Sequence, residues 1–202
     1  KKPIWQVMTH LNPMANDLEG YSRDLITLAD GKRIQSRQYN HETGMMTQLL
    51  QTESNDFIIA SGLHALYLPI LRESYNLKIY LDIDEGLRRH FKLKRDVGQR
   101  GHTVDGVLSA FEKREVDSVR FIRPQLAYAD LVLSLQPIHP QMLEKLDNKQ
   151  TLRLKLVIKT HQGVNERALH RVLVGMCGLH VDIEISDDNT EVQISIEGDT
   201  SA

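Results

Sequence analysis

Three short apolar runs constrain what this chain can fold into more than any other feature: Phe57-Ile58-Ile59-Ala60, Leu77 to Ile83 and Ala129 to Leu135. Each is short and rich in branched side chains, which predicts strands covered on both faces rather than buried helices. Between the second and third runs, Asp84 stands where an N-cap belongs, before a charged helix to about Gln99. Asp105 to about Phe121 carries another helical pattern. Apolar strands alternating with helices predict an α/β fold, a doubly wound parallel sheet with helices on both faces.

Upstream, Lys1 to Asn16 reads as loop with short ordered pieces. Asp17 is placed to cap a helix whose apolar face holds Leu18, Tyr21, Leu25 and Leu28, stopped by Asp30-Gly31. Glu42 to Leu50 is expected to form a short helix. Downstream of Gln136 the character changes: Pro137 and Pro140 punctuate the chain, and Asp147-Asn148-Lys149-Gln150 is polar. Leu152, Leu154, Leu156 and Ile158 then alternate with basic residues, as in a half-buried strand. Asn165 to Met176 reads as a helix ended by Gly178. Val181 to Ile185 and Val192 to Ile196 flank Asp187-Asp188-Asn189 as a hairpin. The expected organisation is an α/β body over residues 1–147 and a small β-α-β-β (α+β) appendage over 148–202.

Composition narrows the function classes. With 25 basic and 27 acidic residues the formal charge is −2, which removes any general electrostatic pull toward nucleic acid. The single cysteine, Cys177, excludes an intramolecular disulfide and points to a reducing, cytoplasmic setting. No apolar run reaches the ~18–20 residues of a membrane span. The chain opens Lys1-Lys2-Pro3 and runs almost at once into dense motif, so it reads as part of a longer polypeptide.

Three segments could carry chemistry. Arg88, Lys92, Arg95 and Gln99 recur at intervals of four, three and four, lining one helical face, with Arg100 and Gly101 following at once. Two readings stay open: a solvated face neutralised by Asp96, Glu85 and Glu112, or a lid whose arginine forks hold phosphoryl oxygens. Tyr39, His41 and Thr43 sit in one polar loop, Arg37 to Gly44, of the kind that grips polar ligands or merely closes on itself. Ser61 and His64 follow the first apolar run, and ligands of open α/β sheets bind beyond the carboxyl ends of strands. The nine histidines are scattered and Cys177 has no partner cysteine, so no metal cage is indicated. No G-x-S-x-G elbow is present for a serine hydrolase.

Taken together, six segments resemble the phosphoribulokinase and uridine kinase family of P-loop small-molecule kinases. They are THLNPMANDL at Thr9 to Leu18, YNHETG at Tyr39 to Gly44, GLHALY at Gly62 to Tyr67, YLDID at Tyr80 to Asp84, KRDVGQRGHT at Lys94 to Thr103, and RPQLAYAD at Arg123 to Asp130. The match covers about Thr9 to Gln136 and looks more like phosphoribulokinase than uridine kinase. It implies a P-loop kinase-like sheet, incomplete at its N-terminal side, with ATP and Mg2+ as cofactors and a phosphorylated sugar or a nucleoside as acceptor. By resemblance, Arg95 and Arg100 are the catalytic lid arginines, Lys92, Arg95 and Arg100 bind ATP phosphates, and Tyr39, His41, Thr43 and His64 bind the acceptor.

Two departures bear on activity. The Walker A loop, G-x-x-x-x-G-K-[ST], and the acidic base that follows it in the family are absent from this sequence. Ser61 also occupies the position where the family usually carries a magnesium-holding glutamate, and a neutral hydroxyl is a weak ligand for a hard dication. The expectation is therefore the lid-and-acceptor part of an ATP-dependent sugar-phosphate or nucleoside kinase. The alternative is a non-catalytic relative that binds a nucleotide or sugar phosphate and serves regulation or assembly. Exposed strand edges in the appendage would allow a homo-oligomer.

Overall fold

The computed structural model describes residues 8–36, 39–40, 45–46, 49–144, 152–160, 165–188 and 190–198. These group into two compact units, residues 1–76 with 114–128, and 77–113 with 129–202.

In the first unit the expected capped helix is present as α1, Leu18–Ala29. The Asp17 side chain accepts from the Gly20 amide at 2.9 Å, and Gly31 leaves the helix at φ 77°, a conformation open to glycine without Cβ strain. Of the helix expected between Glu42 and Leu50, residues 42–44 and 47–48 lie outside the described residues, and Met45, Met46 and Leu50 belong to short strands instead. Here β1 (Ile34–Ser36) pairs antiparallel with β4 (Leu50–Thr52), and β2 (Tyr39–Asn40) with β3 (Met45–Met46). Helix α2, Pro69–Ser74, begins with proline where a missing N–H costs nothing, and buries Leu71 completely.

The run Phe57 to Ala60 departs most from its sequence reading. It joins no ladder among the described residues, and Phe57 and Ile59 are 90% and 94% exposed. Apolar character identified a segment with surface to bury, but a strand also needs a neighbour for its amides and carbonyls. The buried Gln125 amide orders the turn that follows. Its Oε1 accepts from Leu66 N at 3.0 Å, and its Nε2 donates to the Leu63 and Phe121 carbonyls at 2.9 and 2.8 Å.

The second unit is built on one five-stranded sheet. Its strands are β5 (Ile79–Ile83), β6 (Leu131–Pro137), β7 (Leu154–Thr160), β8 (His180–Ile185) and β9 (Val192–Glu197), in the order β5-β6-β7-β9-β8. Only β5 and β6 pair in parallel; the other three neighbours are antiparallel. The expected parallel sheet is thus corrected to a mixed, mostly antiparallel one. The strands read from residues 148–202 extend the β5–β6 pair rather than forming a sheet of their own, because β6 meets β7 over seven residues, Leu131 opposite Thr160 to Pro137 opposite Leu154. Val157 and Ile194 are its buried centre.

Two helices follow β5 in sequence. Asp84 caps α3, Glu85–Gly98, by accepting from Leu87 N at 2.9 Å, and its backbone N–H donates to Leu135 O of β6. Helix α4, Val104–Asp117, continues into a π-helical turn, Ser118–Ile122. Asn165 caps α5, Glu166–His170, which runs into a second π-helical stretch, Arg171–Met176. Gly178, at φ 66°, ends it.

Candidate functional site

The C-terminal turn of α3 gathers the basic residues singled out in the sequence. Arg95 lies in the last turn, and the chain leaves through Gly101, at φ 69°. Asp96, between the two arginines in sequence, faces inward with its side chain only 10% exposed. Its Oδ1 accepts from Arg95 Nε at 2.8 Å and from Arg100 Nη1 at 3.2 Å, while its backbone carbonyl accepts from His102 N at 2.9 Å. The Arg95 hydrogen bond, with the charges of Arg95, Arg100 and Lys92, holds the Asp96 carboxyl below its ordinary range against the opposing pull of burial. Arg95 in turn is held more firmly in its charged form, chiefly by that hydrogen bond.

One buried carboxylate therefore fixes two arginines. Each spends a single nitrogen on it, and both guanidiniums remain about half exposed. Their remaining N–H groups are available to an anion with several oxygens, such as a phosphoryl chain. Along the same helix Lys92 sits 4.5 Å above the Phe111 ring, and Arg88 lies 5.0 Å from it while pairing with Glu85 at 2.7 Å. The two open readings of this face thus both have a physical counterpart. Glu85 and Asp96 neutralise charge, yet Arg95 and Arg100 keep donors toward solvent.

The first unit holds a second constellation. Thr9 donates its hydroxyl to Asp117 Oδ2 at 2.7 Å and its amide to the same oxygen at 3.2 Å. Arg114 Nη2 donates to His10 Nε2 at 3.0 Å, which requires that ring nitrogen to be unprotonated. His64 is buried, its Nε2 donates to Leu11 O at 3.0 Å, and its ring meets Tyr67 edge-on at 5.8 Å. Asn12 accepts from Met14 N through its side chain, and Asn16 donates to the His10 and Asn12 carbonyls. Polar residues at Thr9 to Asn16 thus lock one another into a defined loop.

His41 and Thr43 lie outside the described residues, and Tyr39 contributes backbone to β2. Ser61 is exposed, in the segment without a ladder. Asp117, Arg114 and His10 were not singled out from the sequence. Arg114 and Asp117 lie in an undistinguished helical pattern, and their pairing with Thr9 and His10 spans more than 100 residues. Asp96 was legible only as a neutralising charge; its adjacency to Arg95 and its i,i+4 spacing to Arg100 were the available signals.

Among the described residues no group of three His, Cys, Asp or Glu side chains could hold a metal ion, and no helix is long and apolar enough to cross a membrane.

The model of the phosphoribulokinase / uridine kinase family matches residues 4–140. The phosphoribulokinase of Synechocystis sp. is 36% identical over 152 residues, 75% of this chain and 45% of that protein. A uridine kinase of Clostridium botulinum is 32% identical over 124 residues, 60% of this chain and 60% of that one. The solved structure of the phosphoribulokinase from Rhodobacter spheroides superposes with a TM-score of 0.69 at 19% identity, covering 95% of this chain and 69% of that one, and shows the same fold. The chain spans less than half the length of the Synechocystis enzyme. With the family model covering most of the chain, the chain belongs to the phosphoribulokinase / uridine kinase family.

Proposed function

We propose that this chain supplies the lid and acceptor-side elements of an ATP-dependent kinase that phosphorylates a hydroxyl of a small sugar phosphate, in the manner of phosphoribulokinase. The observation that carries the reading is the pair Arg95 and Arg100, pinned through one nitrogen each by buried Asp96 and open on their other edges. In phosphoryl transfer the protein's contribution is mostly positioning and charge stabilisation. Arginines held in advance supply charge at the equatorial oxygens of the transferred group with little reorganisation. The acceptor hydroxyl oxygen bonds to the γ-phosphorus as the bond from that phosphorus to the β–γ bridging oxygen breaks. ADP leaves with the bridging oxygen, and the hydroxyl's proton passes to a general base, the part the family gives to the acid that follows its Walker A loop.

ATP and Mg2+ are the family's usual cofactors. The donor set here fits the anionic phosphates, through Arg95, Arg100 and Lys92. It offers no carboxylate at position 61 for the ion. Magnesium bound through a nucleotide commonly takes only one or two protein carboxylates. When bound, it would neutralise phosphate charge; the chain's own part is to fix the guanidiniums. His64, Tyr39, His41 and Thr43 belong to the acceptor side in this reading, with His64 acting through the loop it anchors at Leu11.

The test is ADP formation dependent on a pentose phosphate, in a polypeptide that carries both a Walker A loop and this segment. Dependence on the sugar phosphate supports the reading, and its absence with ATP and magnesium saturating refutes it. The 202-residue chain alone, which has no Walker A sequence, should not turn over ATP. Ser61 favours a second reading, a nucleotide-binding relative without catalysis. If Ser61→Glu tightens magnesium-ATP binding about tenfold in an otherwise inactive protein, that second reading stands.

A further inference from the structure

The polar contacts of the first unit close into a ring. At the end of α4, Asp117 accepts from the Thr9 hydroxyl and amide at 2.7 and 3.2 Å. Eight residues on, in the helical turn Arg123–Tyr128, Gln125 takes hold of the turn after Gly62. Its Oε1 accepts from Leu66 N, and its Nε2 donates to the Leu63 and Phe121 carbonyls. His64, inside that turn, closes the ring by donating from Nε2 to Leu11 O at 3.0 Å, while Thr9 Oγ1 accepts from Leu11 N at 3.2 Å.

Two features distinguish Gln125 from a glutamine that merely fills a gap. It is buried, and it spends both amide hydrogens and its oxygen on three backbone groups from two segments of the chain. The turn it grips is irregular, and much of that turn's backbone is bound by side chains from outside it. Besides the Gln125 contacts, Arg72 Nη1 donates to the Leu66 and Tyr67 carbonyls at 3.0 and 2.8 Å, with its guanidinium 3.8 Å over the Tyr128 ring. Irregular backbone satisfied in this way takes its position from those side chains. His64 is the buried polar side chain of the turn; its ring meets Tyr67 edge-on, and Tyr67 meets Phe121 edge-on at 6.2 Å. An imidazole enclosed like this moves with its backbone. A shift of the turn therefore carries Nε2 off the Leu11 carbonyl, because hydrogen bonds weaken steeply with angle.

We propose that Gln125 is a positioning residue for the acceptor side: its amide sets the turn from which His64 holds the Thr9–Asn16 loop. The inference rests on the kinase reading for what that loop meets, a sugar phosphate. The contacts that run from Gln125 to Leu11 stand without it, and Gln125 itself touches no substrate in this account.

The first readout needs no substrate. In the full chain with nitrogen-isotope-labelled histidines, the His64 ring should show one neutral tautomer, its hydrogen held on Nε2 and slow to exchange with water. Gln125→Met keeps the side chain's length and removes its hydrogen bonds, so it should convert that signature into exchanging tautomers. Gln125→Glu keeps an acceptor for Leu66 N but sets an oxygen against two carbonyls; it should act in the same way, and it serves if the methionine variant folds poorly. A mobile tautomer in the parent, or an unchanged ring signature in either folded variant, overturns the proposal.

The second readout is kinetic, in a polypeptide that carries a Walker A loop together with this segment. Gln125→Met should raise KM for the pentose phosphate about tenfold, the order set by the hydrogen bonds lost, with KM for ATP unchanged. In a His64→Leu background the same substitution should add nothing further, because a residue that acts through another is not additive with it. A residue that served the fold alone would lower the melting temperature and leave both KM values in place. An equal rise in both KM values, or the full effect without His64, overturns the proposal. If the parent forms no ADP with a pentose phosphate, the kinase reading falls, and the ring signature decides for Gln125.

Discussion

Replacing Asp96 with asparagine isolates the interaction on which the candidate site depends. The amide keeps the shape of the carboxylate but removes its charge and turns one oxygen into a donor facing two cationic donors. Hydrogen bonds to charged groups contribute about 1.5–3 kcal/mol when shielded, and exposed ion pairs about 0.2–1 kcal/mol. Asp96 is the buried end, while Arg95 and Arg100 are half in water, so the two contacts together fall at about 1–2 kcal/mol. In a chain of this size each kcal/mol moves the melting temperature by roughly 2–4 °C. Asp96→Asn should therefore melt about 2–8 °C below the parent at neutral pH by calorimetry or circular dichroism.

The deficit should also depend on pH. Because the folded carboxyl is held below its ordinary value, its stabilisation is complete above the unfolded pKa of about 3.9 and is lost as pH falls through the lower folded value. Parent and variant should converge in that acid window. An unchanged melting temperature at neutral pH, or a deficit that persists undiminished once the carboxyl is protonated, refutes the assignment of Asp96 as the clamp.

Three other outcomes follow from the packing. Leu71→Ala, at a fully buried side chain of the first unit, should cost about 2–5 kcal/mol, whereas Ile194→Val in the sheet should cost only about 0.5–1.5 kcal/mol, both read by urea denaturation. The Asp188 carboxyl is lowered to about 2 by hydrogen bonds from Ser186 and Thr190, so the turn between β8 and β9 should keep its hold down to acid pH and lose it only between about 3.9 and that value, followed by the Asp188 carboxyl carbon resonance. A chain ending at residue 147 loses every partner of the β6 edge that faces β7; it should melt without cooperativity, and a sharp two-state transition would instead support an appendage that folds apart from the body.

Local signals were legible to the residue. Asp17 and Asp84 each cap the helix that their position before a periodic stretch predicts, Asn165, read as the first residue of its helix, is that helix's cap, and Gly31 and Gly178 terminate helices with positive φ as expected. Strand pairing was not legible. Apolar runs specify that surface is buried, not which strands become neighbours: the parallel order expected of the second and third runs holds as β5–β6, whereas the antiparallel β7 on the other side of β6 was not foreseen. Phe57 to Ala60 fails for the same reason, since among the described residues its amides find no strand. In the site, the arginines were visible through helical spacing, but the inward aim of Asp96 depends on how α3 packs. The Thr9–Asp117 and His10–Arg114 contacts join distant parts of the chain, which no local pattern encodes.

The most direct test of the central claim is single-turnover phosphoryl transfer from ATP to a pentose phosphate, comparing parent and Arg100→Ala in a polypeptide that carries a Walker A loop together with this segment. Arg100 is more than half exposed, and its recorded ion pair is with Asp96, so its loss should barely move the melting temperature. Arginines that meet the transferring phosphoryl group are worth on the order of 10³-fold or more in rate. The account predicts a fall of about that size with folding intact. Transfer at the parental rate, or loss of rate only through unfolding, would contradict it.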